Sequence, residues 1–180
     1  MCGIAGLLML DGSPPSAELI GQMTAAIAHR GPDGWDTRIL GAAALGHRRL
    51  AIIDLSPAGS LPMSNDDGTI WLTYNGEIYN FAALRRELEA AGHIFRSQTD
   101  SEMVIHAYEE WGPDCLQRFI GMFAIGLWDG RRQRLWIARD RIGIKPLFYL
   151  QRGDIFAFGS EIKALLPLPG AGQQVDHAAL

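Results

Sequence analysis

Apolar positions along the chain recur in two rhythms, and the switches between them outline a fold. After an opening apolar run, "MCGIAGLLML", the segment "DGSPPS" reads as a turn leading into a helix capped by Ser16. Leu19, Ile20, Met23 and Ile27 then follow at helical spacing, and Gly31 and Pro32 in "HRGPDG" stop that helix. From Thr37 to Asp54 the residues are small, apolar and β-branched, broken by Gly41 and Gly46, which predicts paired strands. "SPAGSLPMSNDDG" is a loop with a turn at Asp67-Gly68, and "TIWLTYN" is a strand with period-two character.

Asn80 is placed to cap a second helix, in which Phe81, Leu84, Leu88 and Ala91 form one stripe and Gly92 ends it. "TDSE" (Thr99 to Glu102) has capping-box spacing, and Met103, Val104, Ala107, Tyr108 and Trp111 face a core behind it. The last third is strand-rich: "GMFAIGLWD", "RLWIARD", "KPLFYLQ" and "DIFAFGS", with hairpin turns at Asp129-Gly130 and Arg152-Gly153. Strands and helices in this order, joined by short connections, predict an α+β domain with antiparallel sheets. Regularity fades from "LLPLPGAGQQ" onward, and this stretch reads as a linker.

Composition narrows the class without touching the chemistry. The chain has 180 residues, enough for one domain with a substantial core. It is 48% hydrophobic and 20% charged, as expected of a globular protein. A net charge of −4 gives no sign of a nucleic-acid or anionic-membrane partner. The longest apolar stretches, such as "GMFAIGLW", fall short of a membrane span, and the N-terminus lacks the basic region of a secretory signal. Two cysteines make no disulfide framework, so a reduced, cytoplasmic setting is expected.

Cys2 is the first residue with chemical promise. Once Met1 is removed, it carries both a thiol and an α-amine of unperturbed pKa about 7.7–8.0, a general base that needs no histidine. The competing reading is a small hydrophobe that opens a buried strand, the role expected of Cys115. Asn75 and Gly76 in "YNGEIYN" can supply a side-chain amide and a closely approaching backbone N–H to an oxyanion, or they can be a plain Asn-Gly turn. Arg49 can clamp a carboxylate while Arg48 points to the opposite face of a strand. Asp100 in a helix's first turn can take an ammonium group, or serve the helix dipole alone. The five histidines (29, 47, 93, 106 and 177) lack metal-ligand spacing, His106 reads as a structural or exposed helix residue, and no metal is expected. Walker A, dinucleotide and nucleophile-elbow signatures are missing.

Eight segments in order, "MCGIAG", "HRGPDG", "GHRRLAIIDLSPAG", "YNGEIYN", "TDSE", "GMFAIGLWD", "RDRIGIKPLFY" and "GSEIKALL", resemble class II glutamine amidotransferase domains, the N-terminal-nucleophile glutaminases. The likeness is greatest to the glutaminase domain of glutamine-hydrolysing asparagine synthetases, and it runs from Cys2 to about Leu166. The resemblance implies a four-layer αββα sandwich of two antiparallel sheets. It implies Cys2 as nucleophile, Asn75 and Gly76 as oxyanion hole, Arg49 on the glutamine α-carboxylate, and Glu77 and Asp100 on its α-ammonium. Backbone from Leu50 through Ala51 and Ile52 to Ile53 would line the pocket, and Arg30 and Asp33 would be structural.

The implied reaction releases ammonia and glutamate through a γ-glutamyl thioester on Cys2. Residues 1–166 would form the glutaminase domain and 167–180 the start of a linker to a synthetase domain, which holds ATP and Mg²⁺ and acts in cis or in trans. The glutaminase domain itself needs no cofactor, glutamine is its ligand, and a homodimer is compatible with the resemblance. Two alternatives are a non-catalytic module kept for docking, and an amidotransferase serving a peptide or secondary-metabolite acceptor.

Overall fold

The opening apolar run becomes a central strand, and its alternation sets up two of the three cores. In the computed structural model, which describes residues 1–51 and 59–172, β1 (Gly3–Met9) pairs with β3 (Ala43–Arg49) on one side and with β9 (Ile155–Gly159) on the other. β2 (Gly34–Leu40) and β8 (Phe148–Arg152) complete a five-stranded sheet of order β2-β3-β1-β9-β8. A four-stranded sheet of order β4-β5-β6-β7 lies against it, built from β4 (Met63–Ser64), β5 (Ile70–Ile78), β6 (Gly121–Asp129) and β7 (Arg134–Arg139). All recorded strand pairs are antiparallel.

Because successive strand residues face opposite ways, each sheet feeds two cores. Ile4, Leu45, Ala124, Trp128 and Phe158 pack between the sheets. Ala5, Leu7 and Ala44 turn outward from the first sheet onto Ile20, Met23 and Ile27 of α1 (Ala17–Ala26). Ile70, Leu72, Ile125 and Leu127 turn outward from the second onto α2 (Phe81–Ala90) and α3 (Asp100–Trp111), which contribute Leu84, Leu88, Met103 and Val104. Helix, sheet, sheet, helix is the αββα sandwich expected. Each fully buried Leu or Ile contributes about 1.5–3 kcal/mol relative to exposure. The inter-sheet layer is thin where two glycines face one ring: a Cβ on either Gly6 or Gly126 would lie 2.3 Å from Phe158.

Local details depart from the sequence expectations in physically informative ways. Gly46 does not break a strand but sits inside β3, where a Cβ would meet the Thr24 hydroxyl of α1 at 2.1 Å. The paired strands begin at Gly34 rather than Thr37 and turn at Gly41, which has φ +64°. Ser16 caps α1 as expected, accepting from the Leu19 N–H at 3.3 Å. Asn80 stands at the N-cap of α2 but makes no side-chain capping bond; its side chain instead bridges the Arg118 carbonyl and the Ile120 N–H at 2.9 and 3.0 Å. Thr99 caps α3, but Glu102 leaves the capping box open and accepts from Arg96 and Ser97 N–H groups, each at 2.7 Å. The strand predicted from Lys145 begins only at Phe148, and the Asp129 turn runs through Gln133, at φ +49°, before β7 resumes. Among the described residues, no helix is long and apolar enough to cross a membrane.

Candidate active site

Strand pairing brings the sequence-predicted residues to one end of the sandwich. Gly3 pairs with Arg48, so the chain after β3 runs beside Cys2. The Cys2 thiol is held between backbone groups: Leu50 N–H donates to Sγ at 3.4 Å, and Sγ lies 3.6 Å from the Leu50 carbonyl. β5 crosses from the facing sheet and brings Asn75, Gly76 and Glu77. One cleft is lined by Cys2, Arg49, Leu50, Ala51, Asn75, Gly76, Glu77 and Asp100, together with Met1, His47, Tyr74 and Lys145. Ile52 and Ile53 lie outside the described residues.

Period-two alternation sends the two arginines opposite ways. Arg48 turns toward α1, donating from Nε to the Thr24 carbonyl at 3.0 Å and lying over the Trp35 ring. Arg49 lines the cleft, with Nη1 3.4 Å from Ser60 Oγ.

Asn75 is buried, and its Nδ2 has no hydrogen-bond partner among the described residues. Such a donor costs about 1–3 kcal/mol when left unpaired, so the fold carries a penalty that an incoming acceptor would relieve. Asn75-Gly76 is no turn: both residues sit inside β5, paired with Ala124 and Phe123. Gly76 is needed for space, because a Cβ there would lie 2.5 Å from the Met122 carbonyl.

Asp100 opens α3 and is fixed from below. Its Oδ2 accepts from the Tyr74 hydroxyl at 2.7 Å and from the Ile78 N–H at 3.0 Å. Burial raises its pKa, with these two hydrogen bonds opposing the shift and the charge of Glu77 adding to it. Tyr74 is pushed well above its ordinary value by burial first and then by the Asp100 charge, so it stays a donor. Glu77 is exposed at the cleft rim.

Several positioning groups lie around Cys2. Arg30 Nε donates to the Cys2 carbonyl at 2.9 Å while its Nη1 pairs with Glu161 at 3.0 Å. Glu161 also meets His29 and Lys163; burial pushes its carboxyl up, but hydrogen bonds from Arg30, His29 and Lys163 outweigh burial and bring it down to about 2. Asp33 Oδ2 accepts from the Ala51 N–H at 2.9 Å. Ser160 secures the start of β1, its Oγ accepting from the Ile4 N–H at 2.9 Å. Arg30 and Asp33 thus each hold a piece of main chain beside the cleft.

Three ionisable cleft residues escaped the sequence reading. Tyr74 looked like an ordinary strand aromatic, and Lys145 carried no signal of its own. The Lys145 loop is organised by Asp140, whose carboxylate accepts from the backbone N–H groups of Phe123, Ile144 and Lys145. His47 is fully buried, and desolvation, helped by the charge of Arg49, brings its pKa down to about 3. The Thr73 hydroxyl donates to the Gly46 carbonyl at 3.0 Å, so His47 Nδ1–H must donate to Thr73 Oγ1 at 3.1 Å. Its Nε2 is thus a lone pair, buried without a partner among the described residues. Away from the cleft, the sequence-spacing argument against histidine clusters does not hold in space: His93, His106 and Glu109 meet beside α3.

Comparison with known proteins adds context to this geometry. Residues 1–180 match the family model of the glutamine amidotransferase domain. The chain is 40% identical over 185 residues to the glutamine-hydrolysing asparagine synthetase 3 of Bacillus subtilis, covering 100% of this chain and 30% of that protein. It is 41% identical over 168 residues to the glutamine-hydrolysing asparagine synthetase 3 of Arabidopsis thaliana, covering 92% and 28%. A putative counterpart in Methanocaldococcus jannaschii is 37% identical over 185 residues, at 92% and 33% coverage. The chain thus spans about a third or less of these relatives' lengths. In fold it resembles the glutamine phosphoribosylpyrophosphate amidotransferase of B. subtilis, with a TM-score of 0.76 over 91% of this chain and 43% of that one, at 21% identity.

Proposed function

We propose that this chain, which belongs to the glutamine amidotransferase domain family, hydrolyses the side-chain amide of glutamine at the Cys2 cleft. Loss of Met1 exposes the α-amine of Cys2. That amine takes the thiol proton, and the sulfur attacks the amide carbon. The carbonyl oxygen, now an oxyanion, receives hydrogen bonds from Asn75 Nδ2 and the Gly76 N–H. The C–N bond breaks as the α-ammonium returns the proton to nitrogen, and ammonia leaves a γ-glutamyl thioester on Cys2. Water, deprotonated by the same amine, adds to the thioester and releases glutamate with the free thiol.

Arg49 binds the glutamine α-carboxylate, and Glu77 and Asp100 receive its α-ammonium. The backbone running from Leu50 to Ile53 lines the pocket. Orientation of this kind can supply up to about 7–11 kcal/mol of a barrier in the best cases. The observation that carries the reading is the buried Asn75 Nδ2, a donor without an acceptor among the described residues, in the same cleft as the thiol. The hydrolysis draws on the chain's own groups and calls for no cofactor.

The ammonia is used by an ATP- and Mg²⁺-dependent synthetase domain, in cis or in trans, most simply to amidate aspartate. Support comes from the names of the relatives and the small share of their length that this chain covers. The setting is the cytoplasm, in keeping with reduced thiols. Glutamate release by chain whose Met1 has been removed tests the reading. Turnover should vanish in Cys2→Ala, and unchanged turnover in that variant would refute it.

A further inference from the structure

Beside α3, on a face that shares no residue with the glutamine cleft, three ligand-type atoms converge. His93 Nδ1 lies 3.1 Å from His106 Nδ1, which lies 3.2 Å from Glu109 Oε2. Their ligand atoms all fall within 4.8 Å of one another. Around a tetrahedral Zn²⁺ with bonds of about 2.0–2.1 Å, neighbouring ligand atoms sit about 3.3 Å apart, so both printed separations are close to an edge of that polyhedron. Side-chain exposures of 16%, 8% and 22% for His93, His106 and Glu109 place the cluster beneath the surface rather than on it.

Proton accounting disfavours a purely hydrogen-bonded explanation. An imidazole nitrogen offers either one N–H or one lone pair, so His106 Nδ1 can make one good hydrogen bond and not two. With a lone pair there, the contact to Glu109 sets lone pair against lone pair; with an N–H there, the hydrogen can point at Glu109 or at His93, and the other short contact is left without a straight hydrogen bond. A cation in the middle satisfies all three atoms together.

Each of the three also has an outer partner of the kind that orients metal ligands. His93 Nε2 meets Glu110 Oε2 at 3.2 Å, and His106 Nε2 lies 3.8 Å from Glu102 Oε1. Glu109 Oε1 accepts from Asn65 Nδ2 at 2.8 Å. A small hollow lined in part by Asp66, Asp67 and Arg131 leads to the cluster from solvent. Arg131 is the one cation among those lining residues apart from the histidines, and it is paired with Asp67.

We propose that His93 Nδ1, His106 Nδ1 and Glu109 Oε2 form a binding site for one Zn²⁺-class transition-metal ion, with its fourth position open to the hollow. Two imidazoles and one carboxylate suit zinc, cobalt or nickel rather than the all-oxygen preference of Mg²⁺ or Ca²⁺. The ion ties the segment after α2 to the middle of α3, whose first residue is Asp100 of the glutamine cleft. The proposal is independent of the glutaminase reading.

The full chain, stripped with chelator, is titrated with Co²⁺ followed by visible absorption and with Zn²⁺ followed by calorimetry. One ion per chain is expected, with Zn²⁺ displacing Co²⁺ and raising the melting temperature. Glu110→Gln should weaken binding about 10–100-fold, His93→Gln and Glu109→Gln should weaken it further, and Cys2→Ala should leave it unchanged. No uptake by the folded chain would overturn the proposal. So would uptake unaltered in both His93→Gln and Glu109→Gln, or uptake lost in Cys2→Ala, which would place the ion at the nucleophile instead.

Discussion

Arg30, 28 residues beyond Cys2, donates from Nε to the Cys2 main-chain carbonyl at 2.9 Å. On the proposed reading, loss of Met1 leaves Cys2 without a preceding backbone to hold it, and this contact, together with those to the Leu50 backbone, supplies that restraint. Arg30→Lys keeps the charge but loses the two-pronged reach to Cys2 and Glu161. Its kcat should fall about 10–100-fold with little change in KM, because a misplacement near 1 Å costs about that much. Steady-state glutamate release measures both.

Glu161 supplies a pH test of the same tether. Its folded pKa of about 2 lies below the ordinary 4.5, so its ion cluster stabilises fully above pH 4.5 and that contribution is lost as pH falls toward 2. Thermal unfolding between pH 2 and 5 should show a steeper loss in the parent chain than in Glu161→Gln.

Asp100 shows the opposite sign. Its folded pKa is raised, chiefly by burial, so it favours folding at low pH and disfavours it once pH has passed the raised value. Asp100→Asn should be at least as stable as the parent at pH 7 while its KM for glutamine rises about tenfold or more, the loss of a charged hydrogen bond. Tyr74→Phe removes a contact that lowers the Asp100 pKa, so the acid limb of the kcat/KM profile should move to higher pH.

Asn75 and Gly76 should separate catalysis from folding. Asn75→Ala deletes a buried donor that has no partner among the described residues, and kcat should drop about 10²–10³-fold with stability nearly unchanged. Gly76→Ala drives a Cβ to 2.5 Å from the Met122 carbonyl and should destabilise the β5–β6 pairing by about 1–3 kcal/mol or more. Urea melts of the two variants make the comparison.

The two cysteines should differ in reactivity. Burial pushes the Cys115 thiol up to about 12, whereas Cys2 is partly exposed in the cleft. Iodoacetamide at pH 8 should label Cys2 alone, and glutamine should slow the labelling, as peptide mass mapping would show.

Much of this site was legible because strand alternation is a local property. Arg48 and Arg49 had to face opposite ways, and Cys2, Asn75 and Asp100 were recognisable from the motifs around them. Tertiary contacts were not legible in the same way. Gly46 looked like a strand break because only the close approach of α1 explains a glycine inside β3. Tyr74 gave no hint that its hydroxyl reaches Asp100, since that contact depends on where α3 docks. His93, in the segment after α2, and His106, on α3, are 13 positions apart, a spacing that signals nothing until the two helices pack together. Ile52 and Ile53 fall outside the described residues.

The most direct measurement is the intact mass of the chain after rapid acid quench during glutamine turnover. Catalysis by an N-terminal Cys2 predicts a γ-glutamyl adduct on Cys2 in chain that has lost Met1, and neither adduct nor ammonia release in chain that retains it. Equal glutamate production by both forms, or turnover with the adduct on another residue, would contradict it.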